Sequence, residues 1–172
     1  MSELYLLRHA KAVSKEGDFR DIDRPLDERG REGARAIARW LKQNEITPEL
    51  VLCSPAARTR ETLDLVVGVF GPPPDIRYES GLYLADADRL LARLRDIADD
   101  IQRVMLIGHN PGIHELAQSL ADVTSGPLAS RLAVNLPTAG LARYRIEVEW
   151  SGLRRRGARL VGFVSPKDLE KD

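Results

Sequence analysis

Three short apolar runs, each followed by a helical pattern, constrain the fold of this chain more than any other feature of its sequence. The runs are Leu4 to Leu7, Leu50 to Cys53 and Val104 to Ile107. Residues at helical spacing lie between and after them, namely Ala34, Ile37, Ala38 and Leu41; Leu63, Val66, Val67 and Phe70; Leu90, Leu91, Leu94, Ile97 and Ala98; and Ile113, Leu116, Ala117 and Leu120. Apolar runs with little polar alternation are typical of strands that are covered on both faces. Because helices separate these strands, the sequence predicts an α/β fold with a parallel sheet.

Two further segments after residue 139, GLARYRIEVEW and ARLVGFV, are joined through SGLRRRG. They predict an antiparallel pair of strands at an edge of the sheet. The whole pattern indicates a three-layer α/β/α sandwich with a mostly parallel central sheet and a C-terminal antiparallel edge hairpin. We expect residues 1–172 to form a single domain, because neither side of the GPPP loop at residues 71–74 could close a core alone. Residues 165–172 are expected to be a frayed tail.

Polar residues in front of the helical stripes predict where helices begin. Asp27 and Ser54 are typical N-cap residues, and Pro55 follows Ser54 at the first predicted helical position. Asp86 or Asp88 is the predicted cap of the third helix. The second helix is therefore expected to begin directly after Ser54.

Charge and cysteine content exclude several classes of protein. Twenty-six basic residues balance twenty-six acidic ones, so the chain lacks the net field that attracts nucleic acid or an anionic membrane. Cys53 is the only cysteine, which excludes an intramolecular disulfide and a thiolate zinc site. The apolar run at the N-terminus is too short for a signal peptide, and no stretch reaches the length of a membrane span. We therefore expect a cytoplasmic protein without a nucleic-acid or membrane partner.

Cationic side chains follow the predicted strands at the points where the strands end. Arg8 and His9 come directly after the first run, His109 follows the third, and Arg58 lies in the first turn of the helix after the second. Because parallel strands bring their carboxyl ends to one edge of a sheet, we expect these side chains to converge. The helix N-terminus near Arg58 adds unpaired N–H groups and partial positive charge. The combination predicts a phosphate site.

Each of these residues has a simpler explanation when it is taken alone. A histidine after a strand is more often a hydrogen-bonded structural residue than a catalyst. Arg58 could be a solvated helix residue that pairs with Glu61. Packing at these strand ends would require apolar residues, so structural roles do not explain why cationic groups follow three strands. The combination therefore favours a phosphate site.

Two other enzyme classes fit the sequence less well. A cysteine phosphatase would need its arginine one position further from the nucleophile than Arg58 lies from Cys53, so we interpret Cys53 as a buried thiol. A metallohydrolase would need clustered ligands, but His109 and His114 do not share a helix face. We therefore predict no metal site and interpret His114 as a surface residue. A phosphoprotein-binding module without turnover is an open alternative.

Three motifs of this chain resemble those of a known family. LLRHAKA is similar to the Arg-His-Gly/Ala signature of the histidine phosphatase superfamily, SPAARTRET to its second arginine motif, and LIGHNPG to its second histidine motif. RHAKA, DRPLDERGREGA and the small size resemble most the SixA-type branch of small bacterial phosphohistidine phosphatases. The resemblance covers roughly residues 4–121. It implies a phosphatase that forms a phosphohistidine intermediate.

The resemblance also implies roles for individual residues. His9 would be the nucleophile, and Arg8, Arg58 and His109 would hold the phosphoryl oxygens without a cofactor. Arg24, in the DRPL segment, matches a further phosphate-contacting arginine of the SixA-type branch. Arg24 could instead pair with an acid of its own loop, which contains Asp18, Asp21 and Asp23.

The proton donor for the leaving group is the least clear part of the predicted site. Longer relatives that act on phosphate esters carry a glutamate after the second arginine motif, where this chain reads RYESGLYLADADRLL. Glu79 and Asp86 are the possible acids, although they could equally be a surface residue and a helix cap. An alkoxide leaving group needs a proton from the enzyme, whereas the imidazole of a phosphohistidine can take one from solvent near neutral pH. The missing acid favours phosphohistidine of a protein as substrate, with a small phosphate ester as the alternative.

Overall fold

Residues 1–170, which the computed structural model describes, form a six-stranded sheet with helices on both faces. The strands are β1 (Ser2–Arg8), β2 (Leu50–Cys53), β3 (Asp75–Tyr78), β4 (Arg103–Gly108), β5 (Leu141–Ile146) and β6 (Arg159–Val164). The helices are α1 (Glu28–Gln43), α2 (Ala57–Val66), α3 (Ala87–Arg95), α4 (Gly112–Leu120), α5 (Pro127–Val134) and α6 (Pro166–Leu169). No helix in this part of the chain is both long enough and apolar enough to cross a bilayer.

The strand order across the sheet is β3-β2-β4-β1-β5-β6. Strands β1 to β4 are parallel, while β5 runs antiparallel to β1, and β6 runs antiparallel to β5. In this register Arg8 lies beside Gly108, so β1 and β4 end at the same level. The predicted α/β/α sandwich with an antiparallel edge hairpin is confirmed.

The core lies on both faces of the sheet, because successive residues of a strand point to opposite sides. In β1, Leu4 and Leu6 pack toward α3, α4 and α5, whereas Tyr5 and Leu7 pack toward α1, α2 and α6. All four side chains are buried, and full burial of a leucine contributes about 1.5–3 kcal/mol. The buried residues of α1 include the predicted stripe. This two-sided burial explains why the central strands carry almost no polar residues.

Two of the three predicted helix caps are present. The Asp27 carboxylate accepts a hydrogen bond from the Gly30 N–H at 2.8 Å, and Asp86 accepts one from Arg89 at 2.8 Å. The prediction for Ser54 is wrong, since α2 begins at Ala57 with Ala56 in the cap position and no side-chain cap. The Ser54 hydroxyl instead bonds a histidine of another element, as described below.

Three segments differ from the sequence-based expectation. Strand β3 is an exposed edge strand with no apolar run, and α5 has only a short stripe, so neither pattern indicated an element. Strand β5 ends at Ile146, before the end of the segment predicted to be a strand, and the chain then turns so that buried Trp150 donates its indole N–H to the Ile101 carbonyl.

The C-terminal stretch also differs from the expected frayed tail up to residue 169. Helix α6 begins with a capping box in which Ser165 and Asp168 bond each other's backbone N–H groups. Leu169 packs against the core cluster on the α1 face. These contacts hold residues 165–169 against the rest of the domain. Residues 171–172 of the predicted tail lie outside the described residues.

Candidate active site

The carboxyl ends of β1, β2 and β4 meet at one edge of the sheet, where they surround a cavity of about 240 Å³. We call this cavity the histidine pocket; its lining is Arg8, His9, Lys11, Ala12, Lys15, Arg24, Arg58, Leu84, His109, Asn110 and Thr138. The structure thus brings together the five residues that the motifs single out, from three strand ends and the loop before α1. Glu79 and Asp86 are not part of the lining.

His9 is held as a neutral imidazole at the centre of this arrangement. Its Nδ1 lies 2.7 Å from the Ala10 carbonyl oxygen, an acceptor, so Nδ1 carries the proton and Nε2 keeps its lone pair. The residue is only 8% exposed. Burial, followed by the positive charge of Arg8, lowers the pKa of His9 from 6.5 to about 3. His9 therefore has a nucleophilic nitrogen at neutral pH.

His109 faces His9 across the pocket, with the ring centroids 5.4 Å apart. The His109 Nε2 lies 2.7 Å from the Ser54 hydroxyl, which fixes the ring. When that hydroxyl donates to Nε2, Nδ1 carries the proton and becomes a donor. Burial, with the charge of Arg58, lowers the pKa of His109 to about 3. The ring can thus donate one hydrogen bond without carrying a charge.

Arg58 and Arg24 are oriented by the same residue, Asp21. Arg58 donates from Nη1 to the Asp21 carbonyl at 2.7 Å and from Nη2 to the carboxylate at 3.1 Å. Arg24 donates from Nε to the other carboxylate oxygen at 3.0 Å. The Asp21 carboxylate also accepts a hydrogen bond from the Tyr83 hydroxyl, which, with the Arg58 guanidinium, holds the pKa of Asp21 well below its usual range. Asp21 is therefore ionised and bridges two cations.

Asp21 is the main residue of the site that the sequence did not single out. The sequence predicts that Arg24 could pair with an acid of its own loop, and Asp21 forms that pair. The suggested pairing of Arg58 with Glu61 is absent, because the Glu61 carboxylate accepts from the Leu26 N–H and Arg58 turns to Asp21. No local spacing connects Asp21 with Arg58, so no sequence signal could have identified this contact.

Three nitrogen atoms of the pocket are buried without any hydrogen-bond partner among residues 1–170. They are Nε of Arg8, Nε of Arg58 and Nδ1 of His109. A buried polar group left unpaired costs about 1–3 kcal/mol, more when it is charged. Arg8 uses one of its other nitrogens to bond the Leu136 carbonyl at 3.1 Å. These nitrogens could therefore donate hydrogen bonds to an anion bound in the pocket beside His9.

The two possible acids are engaged away from the pocket. Glu79 forms a two-point ion pair with Arg93, at 2.7 and 3.0 Å, and this hydrogen bonding lowers its pKa. Asp86 is exposed and caps α3. Neither carboxyl group is positioned to donate a proton to a leaving group in the histidine pocket.

Two further residues considered from the sequence lie outside the pocket lining. Cys53 is buried in β2, as its interpretation as a buried thiol predicts, and burial raises the pKa of the thiol to about 12. His114 was expected at the surface, but it is half-buried and its Nε2 lies 2.6 Å from the Leu132 carbonyl. It thus connects α4 with α5.

The fold and the histidine pocket define an α/β protein with two histidines and three arginines at the carboxyl edge of its sheet. The profile of the histidine phosphatase superfamily (branch 1) matches residues 4–83. The uncharacterized protein Rv1276c of Mycobacterium tuberculosis is 34% identical over 163 residues, which cover 94% of this chain and 100% of the relative. This chain belongs to the histidine phosphatase superfamily.

Two SixA proteins are also similar to it. A candidate phosphohistidine phosphatase SixA from Nakamurella multipartitia is 30% identical, with a TM-score of 0.84 over 96% of both chains. The phosphohistidine phosphatase SixA of Escherichia coli K12 is 26% identical over 134 residues, covering 77% of this chain and 82% of that protein. Within the superfamily, the similarity to SixA proteins extends over nearly the whole chain.

Proposed function

We propose that this chain is a phosphatase that removes the phosphoryl group from a phosphohistidine on a protein, through a phosphohistidine intermediate on His9. The observation that carries the proposal is the free Nε2 of His9 in a pocket whose lining residues Arg8, Arg58 and His109 each have a buried nitrogen without a partner among residues 1–170. A tetrahedral phosphoryl group presents three equatorial oxygens, which these donors and the arginine forks suit. The similarity to SixA proteins supports the same reaction.

The proposed reaction has two steps. First, the Nε2 lone pair of His9 attacks phosphorus as the bond from phosphorus to the leaving nitrogen breaks, and the departing imidazole keeps the electron pair and takes a proton from solvent. Arg8, Arg58 and Arg24 balance the negative charge of the phosphoryl oxygens, and the neutral ring of His109 donates a hydrogen bond to one of them. Water then attacks phosphorus as the bond from phosphorus to Nε2 breaks, so that the electron pair returns to Nε2 of neutral His9, the proton of the water goes to solvent and inorganic phosphate leaves. Since the arginines supply the positive charge, we expect turnover to persist in a metal chelator.

The choice of substrate depends on the leaving group. Among residues 1–170, no carboxyl group lines the histidine pocket, so the pocket suits a group that can leave without a proton from the enzyme. Its volume of about 240 Å³ is below the usual range of pockets that enclose a whole small-molecule ligand, about 300–1,000 Å³. These two features favour a phosphorylated side chain over a phosphorylated metabolite.

The proposal is tested by trapping and by a substrate panel. Brief exposure to labelled phosphohistidine substrate should leave acid-labile, base-stable phosphate on the protein, and His9→Ala should abolish both the label and turnover.

Phosphohistidine and aryl phosphates should turn over, while alkyl phosphates should be slower by several orders of magnitude, each tenfold being about 1.4 kcal/mol of barrier. Glu79→Gln and Asp86→Asn serve as controls with unchanged rates. Turnover in His9→Ala would contradict the mechanism, and efficient alkyl phosphate hydrolysis that either control variant loses would move the substrate to a phosphate ester.

A further inference from the structure

A second and larger cavity, of about 740 Å³, lies beside the histidine pocket, between the start of α1 and α6. We call it the basic groove; the charged residues in its lining are Lys11, Arg29, Arg39, Lys167, Glu32 and Glu170. Lys11 and Thr138 line both cavities, so the groove continues directly from the site of the proposed chemistry. A segment bound in the groove would therefore lie next to a group held by His9.

Among residues 1–170, the lining of the groove carries an excess of positive charge. Four cations stand against two carboxylates in its lining, which leaves two positive charges. None of the four cations forms an ion pair with a carboxylate within residues 1–170, whereas Arg31, on the same helix, pairs with Glu28 at 2.8 Å. Exposed cations without partners at a concave surface attract an anionic ligand.

The remaining lining favours a polypeptide over a nucleotide. It consists of small or non-aromatic residues, including Gly30, Gly33, Ala36, Pro137 and Ala139. In the part of the chain that the structure describes, no aromatic ring lines the groove, so a nucleic-acid base would find no stacking partner there. The ligand that fits is an extended chain with carboxylate side chains.

We propose that the basic groove binds an acidic segment of the substrate protein that flanks its phosphorylated histidine. The inference rests on the proposed function, because it assigns a partner to the same site. Carboxylates of the segment pair with Arg29, Arg39 and Lys167, while the phosphohistidine enters the histidine pocket past Lys11. The groove thus selects among phosphohistidine proteins by the charge around the modified residue.

The test compares two peptides with the same central phosphohistidine, one with Asp and Glu flanks and one with Ser and Gln flanks. The variant Arg29→Glu/Arg39→Glu/Lys167→Glu should lower kcat/KM for the acidic peptide by about tenfold or more, since each exposed pair lost is small but all three are reversed. It should leave kcat/KM for the Ser/Gln peptide unchanged, because these residues lie outside the histidine pocket. The preference of the wild type for the acidic peptide should weaken with added salt.

A matched control reverses three arginines at the far edge of the sheet, in Arg154→Glu/Arg156→Glu/Arg159→Glu. Strand β5 starts beside Leu7 at the pocket edge and ends beside Ser2, so the chain that follows it lies roughly 20 Å away. This variant should keep the wild-type preference. Equal kcat/KM for both peptides in the wild type, or equal losses on both in the groove variant, would overturn the proposal.

A binding measurement separates failure of the groove from failure of the proposed function. An unphosphorylated, fluorescent Glu-rich peptide should bind the wild type at low salt and bind the groove variant at least tenfold more weakly. The milder variant Arg29→Gln/Arg39→Gln/Lys167→Gln should give an intermediate affinity, and it replaces the Glu variant if that protein does not fold. If neither phosphopeptide turned over but the peptide bound in this pattern, the proposed function would fail and the groove would stand. Absence of peptide binding to the wild type would overturn the groove.

Discussion

Asp21 shows how much of the histidine pocket depends on one residue that has no role in the motifs. Its main-chain carbonyl and its carboxylate together hold Arg58, and the carboxylate also holds Arg24 and Tyr83. Arginine forks bind a phosphoryl group only when their orientation is fixed in advance. Asp21 is thus a positioning residue, because it acts through the arginines.

We expect Asp21→Ala to lower kcat/KM for phosphohistidine substrate by roughly tenfold to a hundredfold, since hydrogen bonds to charged groups contribute about 1.5–3 kcal/mol each. The loss should appear in both kcat and KM, as both the ground state and the transition state use Arg58. Asp23→Ala is the control, because Asp23 pairs with exposed Arg20 and lies outside the pocket lining; it should change kcat/KM less than twofold. Equal effects of the two substitutions would remove the positioning role.

Helix α4 is the element that holds the loop on the open side of the pocket. Gly112, at the start of α4, packs so closely on the loop that a Cβ there would lie 1.9 Å from the Ala85 carbonyl oxygen. The same loop carries Tyr83, which bonds Asp21, and Leu84, which lines the pocket with φ of 51°. Because Gly112 has no side chain, the loop with Tyr83 and Leu84 can pack directly on α4, and this packing positions both residues at the pocket.

Gly112→Ala should displace this loop and destabilise the protein by about 1–3 kcal/mol, the usual cost of overpacking. Thermal unfolding should shift down by about 2–4 °C per kcal/mol for a chain of this size, and kcat/KM should fall as the loop moves. Gly81→Ala lies in the same segment with nothing within 4 Å of the added Cβ, so it should change stability by less than about 1 kcal/mol. A Gly112→Ala protein as stable and active as Gly81→Ala would contradict this account of α4.

At the scale of the whole molecule, the two buried histidines connect the site with the stability of the fold. Burial lowers the pKa of His9 and of His109 to about 3, whereas a histidine in the unfolded chain titrates near 6.5. Between these values the unfolded chain binds protons that the folded protein excludes. Stability is therefore fully present above pH 6.5 and is lost as the pH falls through that value toward 3.

Between pH 7 and pH 5, each histidine should lower the free energy of unfolding by roughly 1–2 kcal/mol. Urea unfolding of wild type, His9→Gln and His109→Gln at both pH values measures this contribution, and each variant should lose that much less than the wild type. Saturating inorganic phosphate should reduce the loss, because a bound anion favours protonated histidines. The same pH dependence in all three proteins would show that neither histidine is held neutral by the fold.

The parts of this protein that follow from local patterns can be predicted from the amino-acid sequence alone. Apolar runs separated by helical stripes predict a parallel sheet, and a parallel sheet brings Arg8, His9, Arg58 and His109 to one edge whatever the details of packing. The polar residue in front of a stripe predicts a helix start, as it does at Asp27 and Asp86. The edge strand β3 escaped prediction because it buries almost nothing and so carries no pattern.

The contacts between side chains across the pocket follow from the packing of remote segments and have no local signal in the sequence. Ser54 has the local signature of a cap but bonds His109, and Asp21 reaches Arg58, 37 residues along the chain. Such contacts depend on the angles at which loops leave the sheet, and these angles are set by close packing such as that at Gly112. The basic groove likewise exists only because α6 returns to lie beside α1. The spacing of residues along the chain shows which face of a helix or strand is buried. The distances between remote segments, in contrast, are set only when the hydrophobic core packs.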